Sequence, residues 1–380
     1  MSGPRVLFYV QHLLGIGHLA RASRIASALQ AAGFDLTLVT GGTAVDGFPA
    51  PDIRHFALAP VIASEGFSGL AQPDGTPVDD AFLARRREQL LAIFAELHPD
   101  IVITEAFPFG RRQMRFELLP LLDAIEARAD RPMLSASIRD IMQERVKPGR
   151  NEETAELVRE HFDLVLVHGD ERFAKLEETF PLAGSIADRI EYTGLVAGPP
   201  PEPTTERFDV LVSAGGGAAG RALVEATAGA ARSASRSQQW ALITGPNLPQ
   251  ADFDAALRNA PAHLSIYRFR RDFSSLLTGA ELSVSQAGYN TVCDILRAGC
   301  RSLLVPFAAG GETEQTSRAE RLAAMGLASV LTEAELTADS LSSAIQNELS
   351  KPRPPSNALD LDGAKKTADA LRKRWTTFRK

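Results

Sequence analysis

The 380-residue chain has little cysteine, tryptophan, tyrosine or methionine: two, two, four and five residues respectively. Cys293 and Cys300 stand seven apart on one predicted helix and its exit. They read as small buried apolar groups in a reducing compartment, not as a bridge or a metal clip. Long apolar runs are absent too. The apolar run near Met1 stops at Gln11 and His12, short of a signal peptide, and no stretch is long enough to cross a bilayer. A cytoplasmic protein is expected, with a peripheral membrane contact left open. Basic residues do not dominate: 41 Lys and Arg face 47 Asp and Glu, a formal charge of -6, which argues against a general nucleic-acid binder. The histidines, His12, His18, His55, His98, His161, His168 and His263, show no ligand spacing. The only Asp-x-Asp run, Asp360-Leu361-Asp362, falls at the start of the last predicted helix, where it serves as an N-terminal cap. No metal is expected.

What is present is an α/β pattern. The apolar share of 44% is that of a soluble globular protein, and the length suits two domains. Short apolar runs alternate with amphipathic stretches, as in βαβ units of a parallel sheet. The first half predicts strands at 5–10, 34–40, 100–104, 133–137 and 164–168. Its clearest helix is 80–97, with Phe82, Leu83, Leu90, Leu91, Ile93, Phe94 and Leu97 inward and Arg85 to Glu88 outward. A run rich in proline and glycine, 194–203, can continue neither a helix nor a central strand. A second series follows, with strands at 209–213, 239–244, 264–269, 282–285 and 301–305 and helices at 220–231 and 312–325. The expected division is a first domain over 1–196, a linker over 197–208, a second domain over 209–356 and a final helix within 357–380. No solenoid-type repeat is found.

The most informative stretch runs from Ser283 through Gln286, Gly288, Asn290, Thr291 and Asp294 to Gly299, then over Pro306 to Glu314 and Gln315. Its order is strand, glycine turn, helix, strand, polar loop. Gly288, Asn290 and Thr291 thereby fall where a strand feeds a helix N-terminus, whose free N–H groups and positive dipole end can hold a phosphate. Asp294 lies one turn further in, within reach of a sugar hydroxyl. Glu314 and Gln315 follow the next strand and reach the same rim of the sheet. Each domain also opens with a glycine turn after its first strand: Gly15-Ile16-Gly17-His18-Leu19-Ala20-Arg21 in the first, and Ser213 to Gly220, with Gly215, Gly216 and Gly217, in the second. Such glycines admit a ligand close to the backbone N–H groups. Tight strand–helix packing explains the second turn as well.

These residues carry a family resemblance. The second-domain segment resembles the donor region of GT-B glycosyltransferases, both the plant secondary-product type and the MurG type of family 28. In the plant type, a His-Cys-Gly-Trp-Asn-Ser run, an acidic residue three further on and a later acidic-Gln pair hold diphosphate, ribose and sugar. Gln286, Gly288, Asn290, Thr291, Asp294, Glu314 and Gln315 fall on those places, with Gln286 where the plant type has His and Asp294 where it has Glu. The first turn resembles the Gly-Gly-His turn of the MurG type and the Gly-x-Gly-His-x-x-Arg of a nucleotide-sugar hydrolase of pseudaminic acid synthesis. The resemblance implies a GT-B fold, two Rossmann-like parallel-sheet domains facing a cleft, with the last helix returning to the first domain. It implies a nucleotide-sugar co-substrate, a UDP-sugar, bound through Ser213, Gly215, Gly216, Gly217, Phe269, Gln286, Gly288, Asn290, Thr291, Asp294, Glu314 and Gln315, and no other cofactor. It also implies transfer to a hydroxyl acceptor with inversion and without a metal. The acceptor, a glycan, a lipid-linked sugar or a small molecule, is not named by the chain.

Inverting transfer needs a base for the acceptor's proton, and His18 is of the right type. It also fits a residue that only pins its helix. Glu105, after a strand, is either the base itself or the group that fixes His18. Gly17, Arg21, Arg111, Arg139 and Asp140 lie on the same rim. There Arg139 and Asp140 suit an anionic or hydroxyl-rich acceptor and Arg111 and Arg112 a carboxylate or phosphate, or all form a solvated ion-pair network. Hydrolysis of the nucleotide sugar, with water in the acceptor's place, and a binder without chemistry are the alternatives. The loop 60–79, with Val61, Phe67 and Leu70 among glycines, is read as a mobile lid or a membrane-touching patch.

Overall fold

The computed structural model describes residues 3–13, 15–64, 69–143, 147–215, 220–355 and 358–380. They divide into two compact units, 1–196 with 362–380, and 197–361. The Pro-rich segment 197–208 belongs with the second unit. Its Glu206 is held there by Arg270, 2.5 Å away.

The first unit runs β1 (Arg5–Val10), α1 (Gly17–Ala31), β2 (Asp35–Thr40), β3 (Arg54–Ala57), β4 (Ile62–Ala63), β5 (Leu70–Ala71), α2 (Asp80–Leu97), β6 (Ile101–Glu105), α3 (Arg115–Glu126), β7 (Met133–Arg139), α4 (Arg150–His161), β8 (Leu164–His168) and β9 (Ile190–Tyr192). Seven strands form one parallel sheet in the order β3-β2-β1-β6-β7-β8-β9. Because side chains alternate across a strand, β1 feeds two cores. Leu7 and Tyr9 join Leu90, Ile93 and Phe94 of α2 and Leu118, Leu121 and Leu122 of α3, while Phe8 and Val10 are equally buried on the other face.

The helix expected over 80–97 is present, capped by the Asp79 side chain, which accepts from the Phe82 N–H at 2.6 Å. One detail is overturned: Arg86, assigned to the outward face, is 1% exposed. Its guanidinium donates to both carboxylate oxygens of Glu117, at 2.7 and 3.0 Å, to Gln11 Oε1 at 2.6 Å and to the Gly41 carbonyl at 2.9 Å. A Cβ on Gly41 would sit 1.9 Å from that guanidinium, so the glycine makes room for it. The loop 60–79 also differs from expectation. β4 and β5 pair as a short antiparallel ribbon, Val61 is fully buried in the core and Leu70 packs against it, and Phe67 lies outside the described residues.

The second unit runs β10 (Phe208–Ser213), α5 (Arg221–Ser233), β11 (Trp240–Ile243), α6 (Gln250–Asn259), β12 (Leu264–Tyr267), α7 (Phe273–Gly279), β13 (Ala280–Ser285), α8 (Tyr289–Ala298), β14 (Arg301–Leu304), α9 (Glu314–Ala324), β15 (Ser329–Val330) and α10 (Ala338–Leu349). Its parallel sheet has the order β12-β11-β10-β13-β14-β15. The last helix, α11 (Gly363–Phe378), packs on α1 and β8 of the first unit. Asp362 occupies its N-cap position, as expected of the Asp360–Asp362 run, without a side-chain capping bond of its own. Cys293 and Cys300 are buried and unbridged. No described helix is long and apolar enough to cross a membrane.

Candidate functional site

Both sheets reverse their strand order once, between β1 and β6 in the first unit and between β10 and β13 in the second. The carboxyl ends of strands at such a reversal leave a crevice, since the following helices go to opposite faces. Gly17, His18 and Glu105 lie at the first of these places and Ser213, Gly215, Gln286 and Gly288 at the second, while Arg139 ends β7, Phe269 follows β12, and Glu314 and Gln315 follow β14.

In the first unit, Gly17 and His18 open α1 just after β1, and Glu105 ends β6. His18 Nδ1 lies 2.8 Å from Glu105 Oε1, with the imidazole side chain 18% exposed and the carboxylate fully buried. Arg21, one turn along α1 and 2% exposed, donates to the same Oε1. Ser137 of β7, the register partner of Glu105, donates its hydroxyl to Oε2 at 2.7 Å. Burial alone would raise the carboxyl, but Arg21 and the bonds from His18 and Ser137 outweigh it and hold Glu105 at about 2. Glu105 is therefore a charged acceptor, and Nδ1 of His18 is the donor to it. Burial, with the nearby Arg111 charge, pushes His18 down to about 3 against the pull of Glu105. The ring is thus neutral near pH 7, its proton on Nδ1 and a lone pair on Nε2.

Arg111, in the left-handed region at φ 60, donates from Nε to the Gln11 carbonyl at 2.6 Å. Burial, and then the charges of Arg139 and Arg21 against the pull of Glu105, bring it down to about 10. Arg139 ends β7, half-buried beside His168 in register. Asp140 is fully buried, its Oδ1 accepting from the Ile141 N–H at 2.8 Å, so it is not a rim group open to an acceptor as expected. His12 is buried with Nε2 3.0 Å from the Thr43 carbonyl, a packing role.

In the second unit, Ser213 ends β10 and Gly215 follows at φ +79. A Cβ there would stand 2.3 Å from Gln286 Oε1 and displace that amide, and the left-handed backbone favours glycine. Gly216 and Gly217 lie outside the described residues. Gly288 is the N-cap of α8, with no side chain capping it, and the N–H groups of Tyr289, Asn290 and Thr291 in the first turn have no intrahelical acceptor. Asp294 lies half-buried on the same helix. Phe269 lies two residues past β12 and is 55% exposed.

The Glu314–Gln315 pair divides. Glu314, the first residue of α9, is 3% exposed, and its Oε1 accepts from the fully buried Arg318 at 2.7 Å. Arg318 also donates to the Ala287 carbonyl at 3.0 Å, which ties α9 to the turn before α8. Gln315 is half-buried, and its Oε1 accepts from the Phe307 N–H at 3.3 Å, orienting its amide. Among the described residues, no three His, Cys, Asp or Glu side chains gather to hold a metal ion.

Two residues of the first site have no role in the sequence analysis: Ser137, the last residue of the strand expected over 133–137, and His168, which is fully buried. The available signal was positional. Glu105, Ser137 and His168 are polar residues at or near the carboxyl ends of three neighbouring strands that are buried almost throughout.

Residues 210–371 match the glycosyltransferase family 28 C-terminal domain. Among curated proteins, the UDP-N-acetylglucosamine--N-acetylmuramyl-(pentapeptide) pyrophosphoryl-undecaprenol N-acetylglucosamine transferase of Gloeobacter violaceus is 33% identical over 130 residues, 32% of this chain and 36% of that protein. The protein of the same name from Phenylobacterium zucineum is 38% identical over 97 residues, 26% of this chain and 27% of that protein. The chain thus aligns with about a third of the length of these relatives, or less. Solved structures extend the likeness in fold. The calicheamicin glycosyltransferase CalG4 has a TM-score of 0.61 at 17% identity, covering 99% of this chain and 95% of that one. MurG of Acinetobacter baumannii has a TM-score of 0.59 at 16% identity, covering 97% and 100%. The chain has the GT-B fold of these structures, resembles the MurG type over part of its length, and matches the glycosyltransferase family 28 C-terminal domain over residues 210–371.

Proposed function

We propose that this protein is a glycosyltransferase that moves a sugar from a nucleotide-diphosphate donor, a UDP-sugar, to a hydroxyl acceptor with inversion and without a metal. The observation that carries the reading is the His18–Glu105 pair. A neutral imidazole, its Nδ1–H fixed by a buried carboxylate, has Nε2 free to take a proton as a hydroxyl attacks the anomeric carbon. Glu105, fully buried and engaged by Arg21, Ser137 and His18, fixes the ring and is not itself the base.

The donor's diphosphate is assigned to the first turn of α8 and the loops at Ser213–Gly215 and Gln286–Gly288, where backbone N–H groups and the helix dipole meet negative charge as it grows on the leaving group. Asp294 is assigned to the ribose, Gln315 to the sugar, and Phe269 to the segment that meets the base. Gly17, Arg21, Arg111 and Arg139 are assigned to the acceptor side, Arg21 through Glu105. The acceptor is a glycan, a lipid-linked sugar or a small molecule, and contact with a membrane surface belongs to this proposal. A second reading has one observation in its favour. The Gly17-His18-x-x-Arg21 arrangement serves equally to deprotonate water, which gives nucleotide-sugar hydrolysis.

The test is release of nucleoside diphosphate from a panel of nucleotide sugars, with and without acceptor sugars and with a chelator present. Release that needs an acceptor and survives the chelator supports transfer. Equal release without any acceptor replaces it by hydrolysis, and no release from any donor contradicts both.

A further inference from the structure

The bonds that hold His18 do not end at Glu105. Ser137 Oγ, which gives its one proton to Glu105 Oε2, lies 2.9 Å from His168 Nε2. With the hydroxyl proton spent, Oγ accepts, so Nε2 of His168 is the donor. Nδ1 of His168 then accepts, and Thr193 Oγ1 stands 2.9 Å from it. Thr367 of α11 lies 3.5 Å from the same nitrogen. Glu105, Ser137, His168, Thr193 and Thr367 are each at most 1% exposed, so water does not compete for these bonds.

With Ser137 donating to Glu105, the directions that satisfy the row are Thr193 to His168, His168 to Ser137 and Ser137 to Glu105, although the Thr193 hydroxyl also has the Val167 and Gly194 carbonyls within 3.4 Å. A donation into Ser137 Oγ strengthens its own O–H as a donor. The charged groups that act on this row are Arg21 on α1, which acts on both Glu105 and His168, and Arg111, which acts on Glu105. Burial brings His168 to about 3, with Arg21 adding to the fall and Glu105 opposing it, so its ring is neutral and has the single N–H that the row needs. A core requires no such chain, since apolar side chains would fill the same space without the cost of burying polar groups.

We propose that Ser137 and His168 are positioning residues. They hold Oε2 of Glu105 so that Oε1 faces His18, keeping the His18 proton on Nδ1 and its lone pair on Nε2. The proposal rests on the reading of His18 as the base for its use in turnover, but its geometric content can be tested separately.

The experiment is nitrogen NMR of the full-length protein with labelled histidine at neutral pH, where the ring shifts report which nitrogen carries the proton, alongside turnover. His18→Ala identifies the His18 signals. In the parent, His18 is expected wholly as the Nδ1–H form. Ser137→Ala and His168→Leu each remove the link, and both are expected to move a measurable share of His18 to the Nε2–H form and to lower kcat with KM little changed. His168→Gln retains an N–H donor and is expected to restore the parent form. The two link-breaking variants probe one chain from both ends, so one folded member suffices. An unchanged Nδ1–H form in a folded link-breaking variant overturns the proposal. If the tautomer responds as expected while His18→Ala keeps normal turnover, the positioning row stands and the base assignment falls.

Discussion

His18 Nδ1 stands 2.8 Å from Glu105 Oε1, joining the first turn of the helix after β1 to the carboxyl end of β6 across the reversal of the first sheet. The consequence is a histidine that is neutral, of one tautomer and still 18% exposed. It sits at the positive end of α1, where an imidazolium is disfavoured.

The charge of Arg111 is the second cause, after burial, of the low His18 value. Removing a cation beside a base favours its protonated form, so Arg111→Gln is expected to raise the His18 pKa. With His18 proposed as the base, activity requires the neutral ring, so on acidification the variant is expected to lose kcat/KM at a higher pH than the parent. A pH–rate profile checks this, and an acid limb that does not move, or moves down, contradicts the neighbourhood assigned to His18.

Glu314 and Gln315 are adjacent yet predicted to behave oppositely. Glu314→Ala leaves Arg318 buried without its carboxylate, and breaking such a pair costs about 3–5 kcal/mol. Gln315→Ala is expected to change stability by less than about 1 kcal/mol while weakening a nucleotide sugar more than the bare nucleoside diphosphate. Urea melts and calorimetry separate the two effects. Equal loss of both ligands in Gln315→Ala removes it from the sugar.

Asp294→Ala is expected to weaken nucleotide binding by about 1.5–3 kcal/mol, the range for hydrogen bonds to a charged group. Calorimetry on the folded variant measures it directly. Unchanged affinity takes Asp294 out of the donor site.

Much of this organisation was legible in the sequence, and what was not has physical causes. β1 and β8 were read at their bounds because a buried parallel strand is a short, nearly continuous apolar run. β3, β9 and β15 were not, since edge strands of two to four residues, only partly buried, leave no such run. The helix rule failed at Arg86, because a charged residue reads as outward unless its partner is known, and Glu117 is 31 residues away. The same blindness hid the structural use of Glu314. His18 and Glu105 were legible as strand-end polar residues near a glycine turn. Ser137 and His168 were not, because a buried polar chain has no sequence spacing of its own; it appears only when the strand register is known.

The central claim is that His18 is the base, and turnover of His18→Ala measured with donor affinity and melting temperature on one preparation tests it most directly. A general base contributes about 10²–10⁴-fold, so turnover per folded molecule should fall on that scale while donor affinity, assigned to the second unit, changes little. Near-normal turnover from a folded but less stable variant would contradict the account.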